Sequence, residues 1–477
     1  MSSLRGNLLI ALASSNTTLA INFIASLALA RLLTPEEIGI FSVAFVLASL
    51  FRTLREMGLG AYIVQETDLT PARFRTALGL SFLVSFACGL IVALLAESAG
   101  QFYREPRVTM ALYVIALTFL VVPIGATSMS MMTRGMRFKE IALVEIFSAL
   151  VQSSTGIYLA WQGQGFLSLA WASLAGICAS SLAVMYFRAP GLPWLPALKE
   201  WRHVLRFSGY VSGSSLLTYA NQSASDLVLG RMMGMEAVAF FNRAHGLTST
   251  FTTVLLKAVN AVSLSHHAQQ HRQGIDSSDG FFHSTTLIAM IAIPLYAWVA
   301  VLSQPIILLL YGPQWTPAAH LLAILSLVGM ASALESQIRP FMTAHGHVKA
   351  LMLLDTRILA LKLAVLVLGA LHSLEAVAWG YALASVLGTT MRFHTLRCLV
   401  PLGKPGLGPI LRHTLLTSLG SIIGPIMVIL WAPVEAPSAM ILLAALAALA
   451  GWIATVITTT NPMRDEALRF LHRQRRS

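Results

Sequence analysis

The chain has 477 residues, of which 56% are hydrophobic and only 11% charged, and its net charge is +12. A soluble domain carries about 25% charged residues, so a soluble fold of this size is excluded. The bilayer is the natural solvent for such a surface, and the chain reads as an all-α polytopic membrane protein.

In chain order, fourteen stretches reach the roughly 20 apolar residues that a span needs. They cover about 8–30, 37–58, 77–96, 108–129, 141–161, 166–187, 206–229, 237–260, 284–303, 317–336, 350–370, 375–396, 411–431 and 439–459. Ala28-Leu29-Ala30 resembles a cleavage box, but the run from Leu8 to Leu33 is too long for a signal peptide and reads as a retained span. The seventh and eighth spans carry many polar residues. Pro123, Pro294 and Pro425 interrupt spans, where a missing backbone bond invites a kink.

The basic residues sort to one side. Segments on the side of the termini hold about 22 of the 32 Lys and Arg residues. Among them are Arg134, Arg137 and Lys139, then Arg188, Lys199, Arg202 and Arg206, then Arg392, Arg397, Lys404 and Arg412. The opposite loops hold only Arg31, Arg104, Arg107 and Arg231. Both termini are therefore expected in the cytoplasm. The charge reads as topology, and nucleic acid is not expected as a partner.

An internal repeat is visible. Arg31-Leu32-Leu33 with Glu36 and Phe41 recurs as Arg231-Met232-Met233 with Glu236 and Phe241, at an offset of 200. Met132-Thr133 with Lys139 recurs as Met342-Thr343 with Lys349, at an offset of 210. The expected organisation is an N-terminal lobe over 1–198 with spans 1–6 and a C-terminal lobe over 199–400 with spans 7–12. Residues 401–477 add spans 13–14 and a basic tail. Two such pseudo-symmetric lobes imply a central cleft in which substrates and ions bind.

A charge at mid-bilayer costs about 2.5–3.5 kcal/mol, so it should face a cavity or a partner. Arg52 and Arg55 fall in the second span, and Glu56 is placed to neutralise Arg52. Asp226 lies in the seventh span, Asn242, Arg243, His245 and Lys257 in the eighth, and Asp355, Arg357 and Lys362 in the eleventh. The first span offers Asn16, Thr17, Thr18 and Asn22. Arg52, Arg55, Lys257 and Arg243 can alternatively snorkel to the headgroups, and Asp226 can pair with Arg231 or Arg243. The candidate substrate-binding set is Arg357, Lys362, Arg243, Arg52, Arg55, Lys257, Asn242 and Asn22, with Asp226 for ion coupling. Its cationic excess suits a phosphate or pyrophosphate.

No P-loop, H-E-x-x-H or G-x-S-x-G occurs, so no enzyme activity is expected. No resident cofactor or metal is expected, with H+ or Na+ as candidate coupling ions. His266, His267 and His271 read as a solvated cytoplasmic loop. Cys88, Cys178 and Cys398 read as small packing residues.

The stretch Ala30-Arg31-Leu32-Leu33-Thr34-Pro35-Glu36-Glu37-Ile38-Gly39-Ile40-Phe41 resembles the first hairpin of polysaccharide transporters of the Wzx type. So does Met57-Gly58-Leu59-Gly60-Ala61 followed by Val64-Gln65. Asp226-Leu227-Val228-Leu229-Gly230-Arg231 and Phe240-Phe241-Asn242-Arg243-Ala244 resemble the matching signature of the second half. The family belongs to the multidrug/oligosaccharidyl-lipid/polysaccharide exporter superfamily. The resemblance implies two six-helix lobes around a cationic cleft, two extra C-terminal helices and alternating access in the bacterial inner membrane. It implies a substrate of undecaprenyl pyrophosphate bearing an oligosaccharide, with polysaccharide polymerase machinery as a partner. Arg55-Glu56 departs from the family pattern, so only Asp226, Asn242 and Arg243 are carried over by motif. The alternatives are a lipid II flippase or cation-coupled drug exporter of the same superfamily, and a membrane polysaccharide polymerase or ligase. The last usually needs a large outward loop, which this chain lacks.

Overall fold

The computed structural model describes residues 4–56, 58–188, 191–199, 223–273, 278–400, 407–431 and 437–466, with isolated positions between them. Every described regular element is a helix. By contacts the chain divides into unit 1, Met1–Ala239, and unit 2, Phe240–Ser477.

Unit 1 holds α1 (Leu4–Leu32), α2 (Pro35–Glu56), α3 (Leu59–Gln65), α4 (Pro71–Tyr103), α5 (Pro106–Arg134), α6 (Phe138–Trp161) and α7 (Leu167–Tyr186). A helical stretch at 223–232 follows. Local chemistry sets the boundaries. Thr34 and Glu37 form a capping box before Pro35: the Thr34 N–H donates to Glu37 Oε2 at 2.9 Å and the Glu37 N–H to Thr34 Oγ1 at 3.3 Å. Thr70 accepts from the Arg73 N–H at 3.3 Å, just before Pro71 opens α4. Within the unit α4 packs on α5, α6 on α7, and α1 on α6.

Helix α8 (Met235–Arg272) begins at the end of unit 1 and runs on into unit 2. Unit 2 continues with α9 (Ser278–Val301), α10 (Ser303–Tyr311), α11 (Thr316–Glu335), α12 (Ile338–Ala344), α13 (Val348–Ala370), α14 (Leu374–Leu399), α15 (Leu407–Trp431) and α16 (Pro437–Thr458). Helices α9, α11 and α14 pack in series, and α15 lies against α9 and α16. A methyl group at Gly451 would sit 2.1 Å from the Gly420 carbonyl oxygen, so only paired glycines let α15 and α16 approach this closely.

Large apolar side chains such as Leu83, Leu90, Leu94, Leu182, Leu368 and Leu430 are exposed, as lipid-facing residues must be. Among the described residues, nine helices are long and apolar enough to cross a membrane. The expected fourteen is not reached by this measure. Helices α1, α8, α13 and α14 coincide with expected spans but fall outside the nine, and the seventh span lies mostly outside the described residues. Two further expectations are corrected. His266, His267 and His271 lie on the last turns of α8, not on a loop, because that helix runs past the apolar stretch into its polar continuation. Cys88 is buried, but Cys398 is exposed near the end of α14, with Sγ 3.8 Å from His394 Nε2.

The repeat has a local structural counterpart. After α5 the Arg137 N–H donates to the Met132 carbonyl at 3.0 Å, and after α12 the His347 N–H donates to the Met342 carbonyl at 2.9 Å. The intervening Met136 and Gly346 both take positive φ, at 53° and 80°. The same left-handed helix ending thus recurs at the predicted offset.

Candidate functional site

In unit 1, Asn22 and Arg52 are exposed on α1 and α2. Arg52 Nε is 3.9 Å from Glu56 Oε1, the pairing expected one turn along the helix. Arg55 differs. Its side chain is only 7% exposed, and its Nη2 donates to Glu56 Oε1 at 3.3 Å. It lines a cavity beside Gly58, α3, α4 and α5. Asp226 is buried in the stretch 223–232 and accepts from Ser225 Oγ at 3.3 Å. One turn later Gly230 packs so closely on Val43 and Tyr103 that a methyl group there would meet them at 2.8 and 3.2 Å. Arg231 stands over the Phe102 ring, 5.2 Å from its centroid.

In unit 2, helix α8 presents two polar faces. Positions three or four apart share a face, whereas positions two apart do not. Phe240 and Arg243 face one way. The Arg243 guanidinium lies 5.1 Å from the Tyr311 ring centroid and 5.0 Å from that of Trp315. Both rings are buried, and Phe240 meets Trp315 edge-on at 5.9 Å. Buried Arg243 Nε has no hydrogen-bond partner. Arg243 also hydrogen-bonds the Tyr311 side chain, so the aromatic pair holds the guanidinium while its Nε–H is left for an acceptor.

Phe241 and His245 face the other way, toward Tyr381 on α14, with ring centroids 5.6 and 5.5 Å away. Lys362 Nζ lies 4.8 Å from the Tyr381 ring centroid and 3.5 Å from its hydroxyl. The structure therefore joins Lys362 to α8 through Tyr381 but places Arg243 on a different face. Asn242 is half-buried, Arg357 is exposed on α13, and the Lys257 side chain lies outside the described residues.

Asp355 is not an open carboxylate. Arg392 bridges it at 3.0 Å and reaches Glu335 Oε1 at 2.5 Å, while Arg339 holds its other oxygen. Thr389 Oγ1 donates to Glu335 Oε2 at 2.9 Å. Two carboxylates and two guanidiniums thus cancel across α11, α12, α13 and α14. The sequence reading missed this network. Glu335 near the end of an apolar run was the available signal, since such a carboxylate needs a partner. It also missed Tyr311, Trp315 and Tyr381, which sequence cannot tell from packing aromatics.

Residues 28–320 match the family model described as polysaccharide biosynthesis protein. The chain is 22% identical to the lipopolysaccharide biosynthesis protein WzxC of Escherichia coli (strain K12), over 82% of this chain and 78% of that one. It is 23% identical to the teichuronic acid biosynthesis protein TuaB of Bacillus subtilis (strain 168), over 70% of this chain and 69% of that one. It is 25% identical to the succinoglycan biosynthesis transport protein ExoT of Rhizobium meliloti (strain 1021), over 66% and 64%. Its fold is similar to that of the lipid II flippase MurJ in an inward closed conformation, with a TM-score of 0.79 at 14% identity over 94% of this chain and 98% of that one. An inward-facing multidrug resistance transporter of the MATE family aligns with a TM-score of 0.65 at 13% identity, over 80% and 94%.

Proposed function

The chain belongs to the polysaccharide biosynthesis protein family, as a Wzx-type multi-pass membrane protein, and on that premise we propose that it flips a lipid-linked oligosaccharide repeat unit. The cargo is an undecaprenyl-pyrophosphate-linked oligosaccharide carried from the cytoplasmic to the outer leaflet of the inner membrane by alternating access. Both termini are cytoplasmic, and polysaccharide polymerase machinery takes the product. The chain acts as a transporter and not as an enzyme.

The observation that carries this reading is the state of the unit 2 charges. The carboxylates of Asp355 and Glu335 are matched by Arg339 and Arg392, whereas Arg243 and Lys362 rest on aromatic rings. A guanidinium carries five N–H donors, so Arg243, whose Nε makes no hydrogen bond, has capacity left for an anion such as pyrophosphate, and Lys362 adds a second positive charge. Arg357, Lys257 and Asn242 extend this set along α13 and α8, and Arg52 and Asn22 offer exposed polar groups in unit 1. Arg55, enclosed among α2 to α5, stands apart. Asp226 is the proposed carboxylate for H+ or Na+ coupling, being buried and accompanied by a hydroxyl.

Alanine at Arg357 or Lys362 should abolish polysaccharide export while leaving the protein at wild-type level in the membrane. Normal export by both variants removes the unit 2 cations from the account. Asp226→Asn should flatten the pH or sodium dependence of transport, and an unchanged dependence removes Asp226.

A further inference from the structure

Unit 1 has a half-open cavity of about 450 Å³ lined by the end of α2 and helices α3, α4 and α5. Its charged wall is Arg55, whose side chain is more than nine-tenths buried. Arg55 Nε has no hydrogen-bond partner, and neither has the buried Thr127 Oγ1 on the same wall. Ser81 adds a second hydroxyl, and Ser130, also on the wall, donates its own to the Ala126 carbonyl at 3.1 Å. A guanidinium stays protonated at any working pH, so a buried one needs an anion. The anion in contact is Glu56, which is 62% exposed and also shared with Arg52 at 3.9 Å. That pairing is weak compensation for a buried charge.

The Gly58-Leu59-Gly60-Ala61 stretch singled out in the sequence also lines the cavity. Gly58, at φ 66°, turns the chain from α2 into α3. A methyl group at Gly60 would stand 3.2 Å from Ser130 Oγ, so the wall closes tightly on α5. The glycines shape the space that Arg55 charges. A fork of N–H donors beside hydroxyls suits a tetrahedral oxyanion. The volume is that of a small-molecule pocket rather than of a bare ion.

We propose that this cavity is a phosphate-binding site, lined among the described residues by unit 1 only, with Arg55 as its anchor and Ser81 and Thr127 as hydroxyl donors. The phosphate comes from a phospholipid headgroup or from a small soluble phosphate compound. Glu56 guards the rim and opposes the anion. The site does not depend on the transport reading above, because among the described residues none of the unit 2 cations lines it.

The test uses the full chain purified in detergent. Lipid retained by the protein is identified by mass spectrometry, and inorganic phosphate is titrated into delipidated protein while its melting temperature is followed. Phosphate should raise the melting temperature of the wild type and of the Arg243→Gln/Lys362→Gln double variant alike. Arg55→Gln should lose the effect. Glu56→Gln should bind about fivefold tighter, the Coulomb effect of a like charge near 4 Å in water. Ser81→Ala with Thr127→Val should weaken binding severalfold and keeps Arg55 in place, so the site is tested even if Arg55→Gln does not fold. Phospholipid retained by the wild type and absent from Glu56-intact Arg55→Gln protein identifies a headgroup. Phosphate binding without retained lipid identifies a soluble ligand. A wild type that takes up neither overturns the proposal, as does phosphate binding unchanged in Arg55→Gln and in the hydroxyl variant. Export lost in Arg243→Gln/Lys362→Gln with phosphate binding intact separates this site from the transport set.

Discussion

From Arg31 to Phe41 and from Arg231 to Phe241 the chain breaks for two residues between helices at the same offset, yet the two helices that follow have different fates. Helix α2 stops at Glu56, and the left-handed Gly58 redirects the chain into α3. Helix α8 passes the equivalent position without a break and continues to Arg272. At the offset of 200, Arg55 and Glu56 correspond to Leu255 and Leu256. Leu256 is buried in an apolar cluster with Ile288, Ala292, Tyr296 and Ala333. Arg55 is buried against a cavity. A glycine and a charge open a polar space in one copy, and in the other Leu256 fills the space within an unbroken helix. Duplication preserved the hairpin and left its far end free to specialise.

The largest test of this comparison carries the charge of the first copy into the second. Leu256→Glu buries a carboxylate without a counter-ion and should cost about 3–5 kcal/mol. Thermal unfolding in detergent should show the loss, and a variant that melts like the wild type would mean that the cluster is open to water. A smaller effect follows from exchanging the backbone choices. Gly58→Ala places a side chain at φ 66° and should cost about 1–2 kcal/mol. Ala258→Gly, in the unbroken helix, should cost about 0.5–1 kcal/mol. If either exchange stabilises the protein, the two helices do not differ as described.

The smallest effect lies at the start of the first copy. Arg107 donates to Glu105 at 2.7 Å and also reaches Glu36, whereas Glu236, the counterpart of Glu36, is exposed. The hydrogen bond from Arg107 holds the Glu105 carboxyl below the usual range. A depressed carboxyl contributes stability above its unfolded pKa and loses it as pH falls through the folded one. Solvent screening limits this to a few tenths of a kcal/mol. Glu105→Gln should flatten the acid limb of melting temperature against pH, and an identical limb would exclude the triad as its source.

Much of the fold was legible because apolar runs of span length must become helices in a bilayer. The helix starts were less legible, since the capped prolines Pro35 and Pro71 open α2 and α4 ahead of the apolar runs at 37 and 77. The polar end of α8 was not legible, since His266, His267 and His271 carry no apolar signal. Short helices such as α3, α10 and α12 are below the span length that the reading used. For the candidate site, the charges themselves were visible but their partners were not. Nothing local distinguishes Arg55, buried on the cavity wall with Gly58 and Gly60, from exposed Arg52 three residues earlier. Nor does spacing reveal that Asp355 is taken by Arg339 and Arg392, or that Arg243 and Lys362 rest on different rings. Burial and partnership are tertiary facts, set by side chains distant in sequence.

The most direct test of the central claim is lipid analysis of a strain lacking this protein. The account predicts that an undecaprenyl-pyrophosphate oligosaccharide accumulates in the cytoplasmic leaflet while surface polysaccharide disappears. An intermediate that reaches the outer leaflet at the normal rate would contradict it.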